Sequence, residues 1–190
     1  LQSRGLGDVY KRQFQSFRRD ISIKFYYFCR YTKHRPSIAM NILFVYFDKT
    51  IQNDNLYVKS LCEEIRRQNG SVECSIDAFW NSTRKYDIVH IQFPEVIFKW
   101  RQPSDNGLKA LRQRIARLKS MGTKIVYTRH DAIPHYCTDK NKLELYRIVE
   151  TQSNAIIHLG EYSRQEFARI YPENTARHFV IPCLLYTSPS

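Results

Sequence analysis

The sequence predicts an α/β fold built on a doubly wound parallel sheet in three layers, α/β/α, and two observations carry that prediction. Six short runs of strand-forming residues recur from Asn41 onward, and most are continuously apolar, as in strands buried on both faces. Segments with helical periodicity alternate with them, the pattern that parallel strands joined by crossover helices require.

The first strand is ILFVYF, Ile42 to Phe47. A polar loop, DKTIQND, leads into a helix whose Val58, Leu61, Cys62 and Ile65 recur at i, i+3, i+4 and i+7 as one apolar stripe. Glu63 and Arg67 form an i,i+4 pair on its outer side, and Asn69-Gly70 supplies the C-cap. Val72 to Ile76 is the second strand, followed by a loop containing Phe79 and Trp80. Tyr86-Asp87 introduces the third strand, IVHIQF (Ile88 to Phe93), which Pro94 stops. The next helix carries Leu108, Leu111, Ile115 and Leu118 on one side and Lys109, Arg112, Arg114, Arg117 and Lys119 around the rest, a basic exterior that reads as a solvated face. Met121-Gly122 closes it before strand four, KIVYT (Lys124 to Thr128). A helix over Lys142 to Gln152 precedes strand five, AIIHL (Ala155 to Leu159). Ser163 is placed as the N-cap of the helix RQEFARIY, and HFVI (His178 to Ile181) is the sixth strand.

The two ends read differently. GAT-GTG-TAT-AAG-AGA-CAG encodes DVYKRQ, Asp8 to Gln13, and its reverse complement, shifted by one base, encodes CLLYTS, Cys183 to Ser188. That oligonucleotide is the end added by transposase-based sequencing libraries, so residues 1–13 and 183–190 are expected to be translated adapter. Residues 14–39 are expected to be translated upstream DNA or a basic extension, with the natural start at Met40 and one domain over 40–182. Residues 1–39 hold nine Lys or Arg against two Asp or Glu, and the chain from Met40 holds 21 against 16, so most of the net charge of +12 lies in the suspect segment. The remaining +5 fits an anionic substrate or a membrane surface, and nucleic acid is not expected as a partner. Cys62, Cys74 and Cys137 show no CxxC spacing and are expected to be thiols in a reducing compartment.

In doubly wound sheets ligands bind beyond the carboxyl ends of the strands. The loops there begin at Asp48, Asp77, Pro94, Arg129, Gly160 and Pro182. The strongest local signal is YTRHDAIPHY, Tyr127 to Tyr136, which sets Arg129, His130, Asp131 and His135 after strand four. Their spacing lacks a convergent carboxylate set, so no metal is expected.

Together with MNILFVY, YDIVHIQFPE (Tyr86 to Glu95) and AIIHLGEYSRQEF (Ala155 to Phe167), leading to HFVIP, this segment resembles the N-terminal, Rossmann-like domain of GT-B glycosyltransferases of the large retaining family four. The likeness covers essentially all of Met40 to Pro182. It implies a cytoplasmic, cell-envelope polysaccharide type of enzyme, with a nucleotide-diphosphate sugar as donor and a glycan or glycolipid as acceptor. It also implies no permanently bound cofactor or metal, and a second, donor-binding domain of the same chain without which this part is inactive. His130 matches the family's histidine that faces the donor sugar; a neutral imidazole there would orient and stabilise, or the residue is a loop histidine held by backbone hydrogen bonds. Arg129 would neutralise a phosphate, or pair with Asp131 and fix the loop. Asp131 would accept hydrogen bonds from acceptor hydroxyls or cap a turn. Gln92 resembles a cleft-lining residue, with His90 its structural neighbour; Glu161 would contact sugar or favour the positive end of its helix. The loop after strand one departs from the family by lacking a glycine-rich turn, with Asn53 and Asn55 as weak substitutes. Lipid-linked acceptors imply peripheral contact with the inner face of the membrane, for which FKWR (Phe98 to Arg101) suits an interfacial edge.

The alternative from another class is a non-catalytic, flavodoxin-like binding or regulatory module. A receiver domain needs a phosphorylatable aspartate after strand three, where this chain has Phe93-Pro94. A nucleic-acid binder needs basic and aromatic residues gathered on one face.

Overall fold

The computed structural model describes residues 40–47, 56–67, 70–131 and 139–181. The adapter-like ends, the segment 14–39, the DKTIQND loop with Asp48, Asn53 and Asn55, Asn69, His135, Cys137 and Pro182 lie outside them.

Six strands form one all-parallel sheet: β1 (Asn41–Val45), β2 (Ser71–Cys74), β3 (Ile88–Ile91), β4 (Lys124–Arg129), β5 (Ala155–His158) and β6 (Arg177–Val180), in the order β2-β1-β3-β4-β5-β6. Five helices join them: α1 (Leu56–Arg67), α2 (Ile76–Asn81), α3 (Asp105–Ser120), α4 (Lys140–Gln152) and α5 (Glu161–Ile170), with a 3-10 turn over Pro94–Phe98. This is the doubly wound, Rossmann-like α/β architecture that the alternation predicts. The winding reverses between β1 and β3, which opens a crevice beyond their carboxyl ends.

Successive side chains of a strand point to opposite faces, and that alternation divides the core in two. Ile42, Phe44, Ile88, Val126, Ala155 and Ile157 lie in one cluster with Val58, Leu61, Cys62 and Ile65 of α1. Leu43, Val45, Val89, Ile91, Ile125, Tyr127 and Ile156 lie in the other, with Leu111, Ile115 and Leu118 of α3, Leu145, Ile148 and Val149 of α4 and Phe167 of α5. Both faces of the central strands are dry, which is why their sequences read as unbroken apolar runs.

Several local expectations differ from the structure. The second strand ends at Cys74, and the segment expected as a loop around Phe79 and Trp80 is α2, because the Ser75 hydroxyl accepts from the Ala78 amide at 2.9 Å and nucleates a turn. Arg67 pairs with Glu64 at 3.0 Å rather than with Glu63, a neighbour one residue nearer on the same face. The cap of α5 is Gly160, and Ser163 sits inside the first turn with its hydroxyl turned to Arg129 and His158. Strand four runs one residue further, through Arg129. Bounds shift elsewhere as well: β1 stops at Val45 rather than Phe47, β3 at Ile91 rather than Phe93 and β5 at His158 rather than Leu159, β6 spans Arg177–Val180 rather than His178–Ile181, and α4 begins at Lys140 rather than Lys142. Gly122 adopts φ 85° after α3, and its amide reaches Lys119 O at 2.9 Å, as its closing role requires. Cys62 of α1 and Cys74 of β2 meet as thiols, Sγ to Sγ 3.4 Å.

The basic exterior of α3 is not uniform. Arg112 is exposed and paired with Glu144, whereas Arg114 is buried and donates from Nε to Phe79 O and from a terminal nitrogen to Ser82 O at 2.9 Å. A cation at the carboxyl end of α2 satisfies carbonyls that have no partner within their own helix. Arg114→Met is therefore expected to lower the unfolding free energy by about 2 kcal/mol, against about 0.5 kcal/mol or less for Arg112→Ala. The comparison is read from urea midpoints at unchanged m-value.

Candidate functional site

Strand alternation sorts the candidate residues into two groups on opposite faces. His90, Gln92, Thr128 and His130 fall on the α1 side, and Arg129 and His158 on the α4 and α5 side. Residues 129 and 130 are neighbours in sequence, yet their side chains work in different places.

On the α1 side a chain of hydrogen bonds crosses from β4 to β3 and back. His130 Nε2 lies 3.0 Å from Gln92 Oε1, Gln92 Nε2 lies 3.1 Å from His90 Nε2, and His90 Nε2 lies 2.9 Å from Thr128 Oγ1. Gln92, His90 and Thr128 are all but fully buried, and His130 is half-buried at the rim. A carbonyl oxygen only accepts, so Nε2 of His130 carries the proton and Nδ1 is the acceptor nitrogen of the ring. Burial lowers His130 to about 4, with the nearby Asp131 charge acting in the opposite direction. Burial, and secondarily the proximity of His130, lower His90 to about 3. Both rings are neutral at physiological pH. Phe93 stacks on His130 with ring centroids 4.6 Å apart at 21°, which fixes the plane of the imidazole. Asp131 follows at the rim, half-buried.

On the opposite face Arg129 is enclosed, with 1% of its surface exposed. Its Nε donates to Glu150 Oε1 at 2.8 Å, and one terminal nitrogen donates to Glu166 Oε2 at 2.8 Å and to the Ser163 hydroxyl at 3.1 Å. Tyr171 donates to the other Glu150 oxygen at 2.8 Å. Burial alone would lower the Arg129 pKa, and the hydrogen bonds to Glu150 and Glu166 overcome it and hold it raised. The guanidinium thus joins β4 to α4 and α5; its pairing is with these glutamates, and the expected pairing with Asp131 is replaced by them. His158 lies in the same layer, Nδ1 at 3.0 Å from Ser163 Oγ and Nε2 at 2.9 Å from His178 Nδ1.

Glu161 is exposed at the start of α5 and is held by Arg164 on its own helix, Nε to Oε1 2.8 Å, which with Gln165 lowers its pKa. The structure therefore brings together His130, Gln92 and His90, and leaves Arg129 and Glu161 in separate networks. Thr128 and Phe93 belong to the site without having been expected there. Thr128 could have been found from sequence, because it shares parity with His130 on β4 and lies level with Gln92 once β3 and β4 are in register.

A shallow cleft of about 420 Å³ lined by Lys119, Ser153, Asn154 and Tyr171 opens where β5 begins, at the end of the sheet away from these residues. Asn154 there is structural, accepting from the Ile125 amide at 2.9 Å. Among the described residues no group of three or more His, Cys, Asp or Glu is placed to hold a metal ion, and no helix is long and apolar enough to cross a membrane. No protein-family model matches the chain, and no curated protein matches its sequence.

Proposed function

We propose that residues 40–182 form the acceptor-side domain of a GT-B-like glycosyltransferase, with His130 at its reacting end. The observation that carries this reading is the His130–Gln92 hydrogen bond at the carboxyl ends of adjacent strands, where this architecture places ligands. Gln92 and Phe93 hold a neutral ring in one tautomer and one plane. With a pKa of about 4, that ring is too weak a base to carry the acceptor proton near neutrality. It suits orientation of a sugar hydroxyl at the rim instead of proton transfer. The proton then leaves with the phosphate of the donor, a nucleotide-diphosphate sugar held by a second domain of the polypeptide. Asp131 at the rim is a further acceptor for hydroxyls of a glycan or glycolipid. No step requires a metal or a permanently bound cofactor.

The protein expressed from the gene's continuous reading frame is expected to transfer sugar from a nucleotide-diphosphate donor to a saccharide, and His130→Ala to lower kcat about 10²-fold with the circular dichroism spectrum unchanged. Wild-type turnover in His130→Ala would remove the histidine from the mechanism. The strand order β2-β1-β3-β4-β5 is also that of flavodoxin-like modules, which favours a second reading as a non-catalytic binding domain. Salt-dependent binding of duplex DNA that survives His130→Ala, without sugar transfer, would select that reading.

A further inference from the structure

The turn after β3 holds the only two described non-glycine residues with positive φ, and they are consecutive: Lys99 at 54° and Trp100 at 64°. Residues with a Cβ are strained in the left-handed region, and Asn or Gly would sit there at less cost. The surroundings over-determine this turn. The amides of Lys99, Trp100 and Arg101 bond to Val96 O at 2.9 Å, Glu95 O at 3.0 Å and Phe98 O at 3.0 Å. Trp80 Nε1 donates to Ile97 O at 3.1 Å, and Tyr146 of α4 donates to Glu95 Oε1 at 2.6 Å.

That strained turn leaves Trp100 55% exposed, so core packing does not account for it. The other large exposed apolar residues, Leu143, Tyr162 and Ile170, lie on helices with ordinary backbone. Strain that the fold holds in place, directed at an exposed aromatic, points to function. The direction is informative as well. The indole lies 6.3 Å from the Phe93 ring at 37°, and Phe93 in turn stacks on His130. The three rings form a row that begins in solvent and ends at the reacting end of the proposed site.

We propose that Trp100 is a stacking platform for a pyranose ring of the acceptor, one that positions the next sugar residue toward His130. The proposal rests on the glycosyltransferase reading for the role of that saccharide as acceptor. A pyranose has an apolar C–H face and a polar edge, so it lies against an indole while its hydroxyls reach neighbouring polar groups. Both parts are present: the indole face, and His130 with Asp131 beyond it. Lys99 and Arg101, its neighbours in the chain, are exposed and supply further donors to hydroxyl or acidic substituents. A lipid-interface anchor shares the aromatic and basic composition, but the placement of Trp100 beside Phe93, which itself stacks on His130, favours a ligand of that site.

The test uses the whole chain titrated with cellobiose, maltose and lactose, followed by saturation transfer from the protein observed on the sugar protons and by isothermal titration calorimetry, readouts that do not depend on the Trp100 indole. The expected result is saturable binding of at least one disaccharide, retained within a few-fold in Trp100→Phe and reduced at least tenfold in Trp100→Gly. Glycine relieves the left-handed backbone, so Trp100→Gly should melt no lower than the parent, which separates lost binding from lost folding. Binding that persists in Trp100→Gly but is lost in His130→Ala overturns the platform and leaves the glycosyltransferase reading standing. Absence of saturable binding to all three sugars overturns the platform, as does Trp100-dependent binding only to phosphatidylglycerol vesicles.

Discussion

Arg129→Ala is expected to destabilise the folded chain by about 3–5 kcal/mol, because it leaves the Glu150 carboxylate in a buried position without its cation. Glu150 is 2% exposed, and its remaining partner is the Tyr171 hydroxyl, a neutral donor at 2.8 Å. Domains of this size are stable by about 5–15 kcal/mol, so the variant is expected to populate the unfolded state visibly at 37 °C. Removing the charges together should restore much of the loss: Arg129→Met with Glu150→Leu replaces a buried pair by apolar volume, which is often neutral. Urea denaturation of the single and double variants measures both. The experiment also separates two roles for the same residue. A phosphate-binding arginine at the rim would change ligand affinity with stability nearly intact, whereas an arginine joining β4 to α4 and α5 changes stability first. A loss below about 1 kcal/mol for Arg129→Ala would contradict the structural role.

The second large effect is acid unfolding that begins well above the carboxylate range. His90 and His158 are held at about 3 and His130 at about 4, all by burial first, against 6.5 for unfolded histidine. Above pH 6.5 these rings are neutral whether the chain is folded or not, and they add no pH dependence. Below it the unfolded chain takes up protons that the folded chain refuses, so stability falls with falling pH until the folded values are reached. Each histidine contributes about 1.4 kcal/mol per pH unit in that window, so three contribute about 4 kcal/mol per unit. Glu150 acts in the opposite sense where it titrates, because burial raises its pKa and protonation then favours the folded state. Unfolding followed by circular dichroism should therefore have its acid midpoint between about pH 6 and pH 4. Substituting His90→Gln and His158→Gln together should remove about two protons from the uptake on unfolding. Stability that stays flat from pH 6.5 to 4.5 would show that these rings protonate without unfolding.

Much of the molecule is legible in the order of its residues. Runs such as ILFV and IVY are apolar at every position because both sheet faces are covered, and helix stripes such as Leu111, Ile115 and Leu118 match the face that packs. Punctuation is legible too: Pro94 opens the 3-10 turn that follows β3, and Gly122 closes α3. Two of the differences, at Ser75 and Ser163, share a cause. Sequence places Ser75 in a strand and Ser163 at a cap, whereas a hydroxyl can bond to any nearby donor or acceptor, and only the fold shows which is in reach.

The site divides along the same line. The location of His130 and Gln92 at the ends of neighbouring strands follows from sequence, since alternation of strand and helix implies the parallel sheet and the sheet implies where ligands approach. The separation of Arg129 from His130 does not, because it depends on whether β4 ends at Thr128 or one residue later. A one-residue change in strand length decides which face a side chain joins, and its energy lies in contacts with α4 and α5 far along the chain. Trp100 makes the same point: FKWR reads as a basic and aromatic interfacial edge, but its left-handed backbone shows only in the fold, where Tyr146 bonds to Glu95 and Trp80 to Ile97 within the Pro94–Phe98 turn. Sequence alone determined the layers and the all-parallel sheet, since these follow from short-range periodicity of burial. Tertiary structure decided which charges are buried pairs and which rings stand in a row, since those depend on contacts between residues distant in sequence.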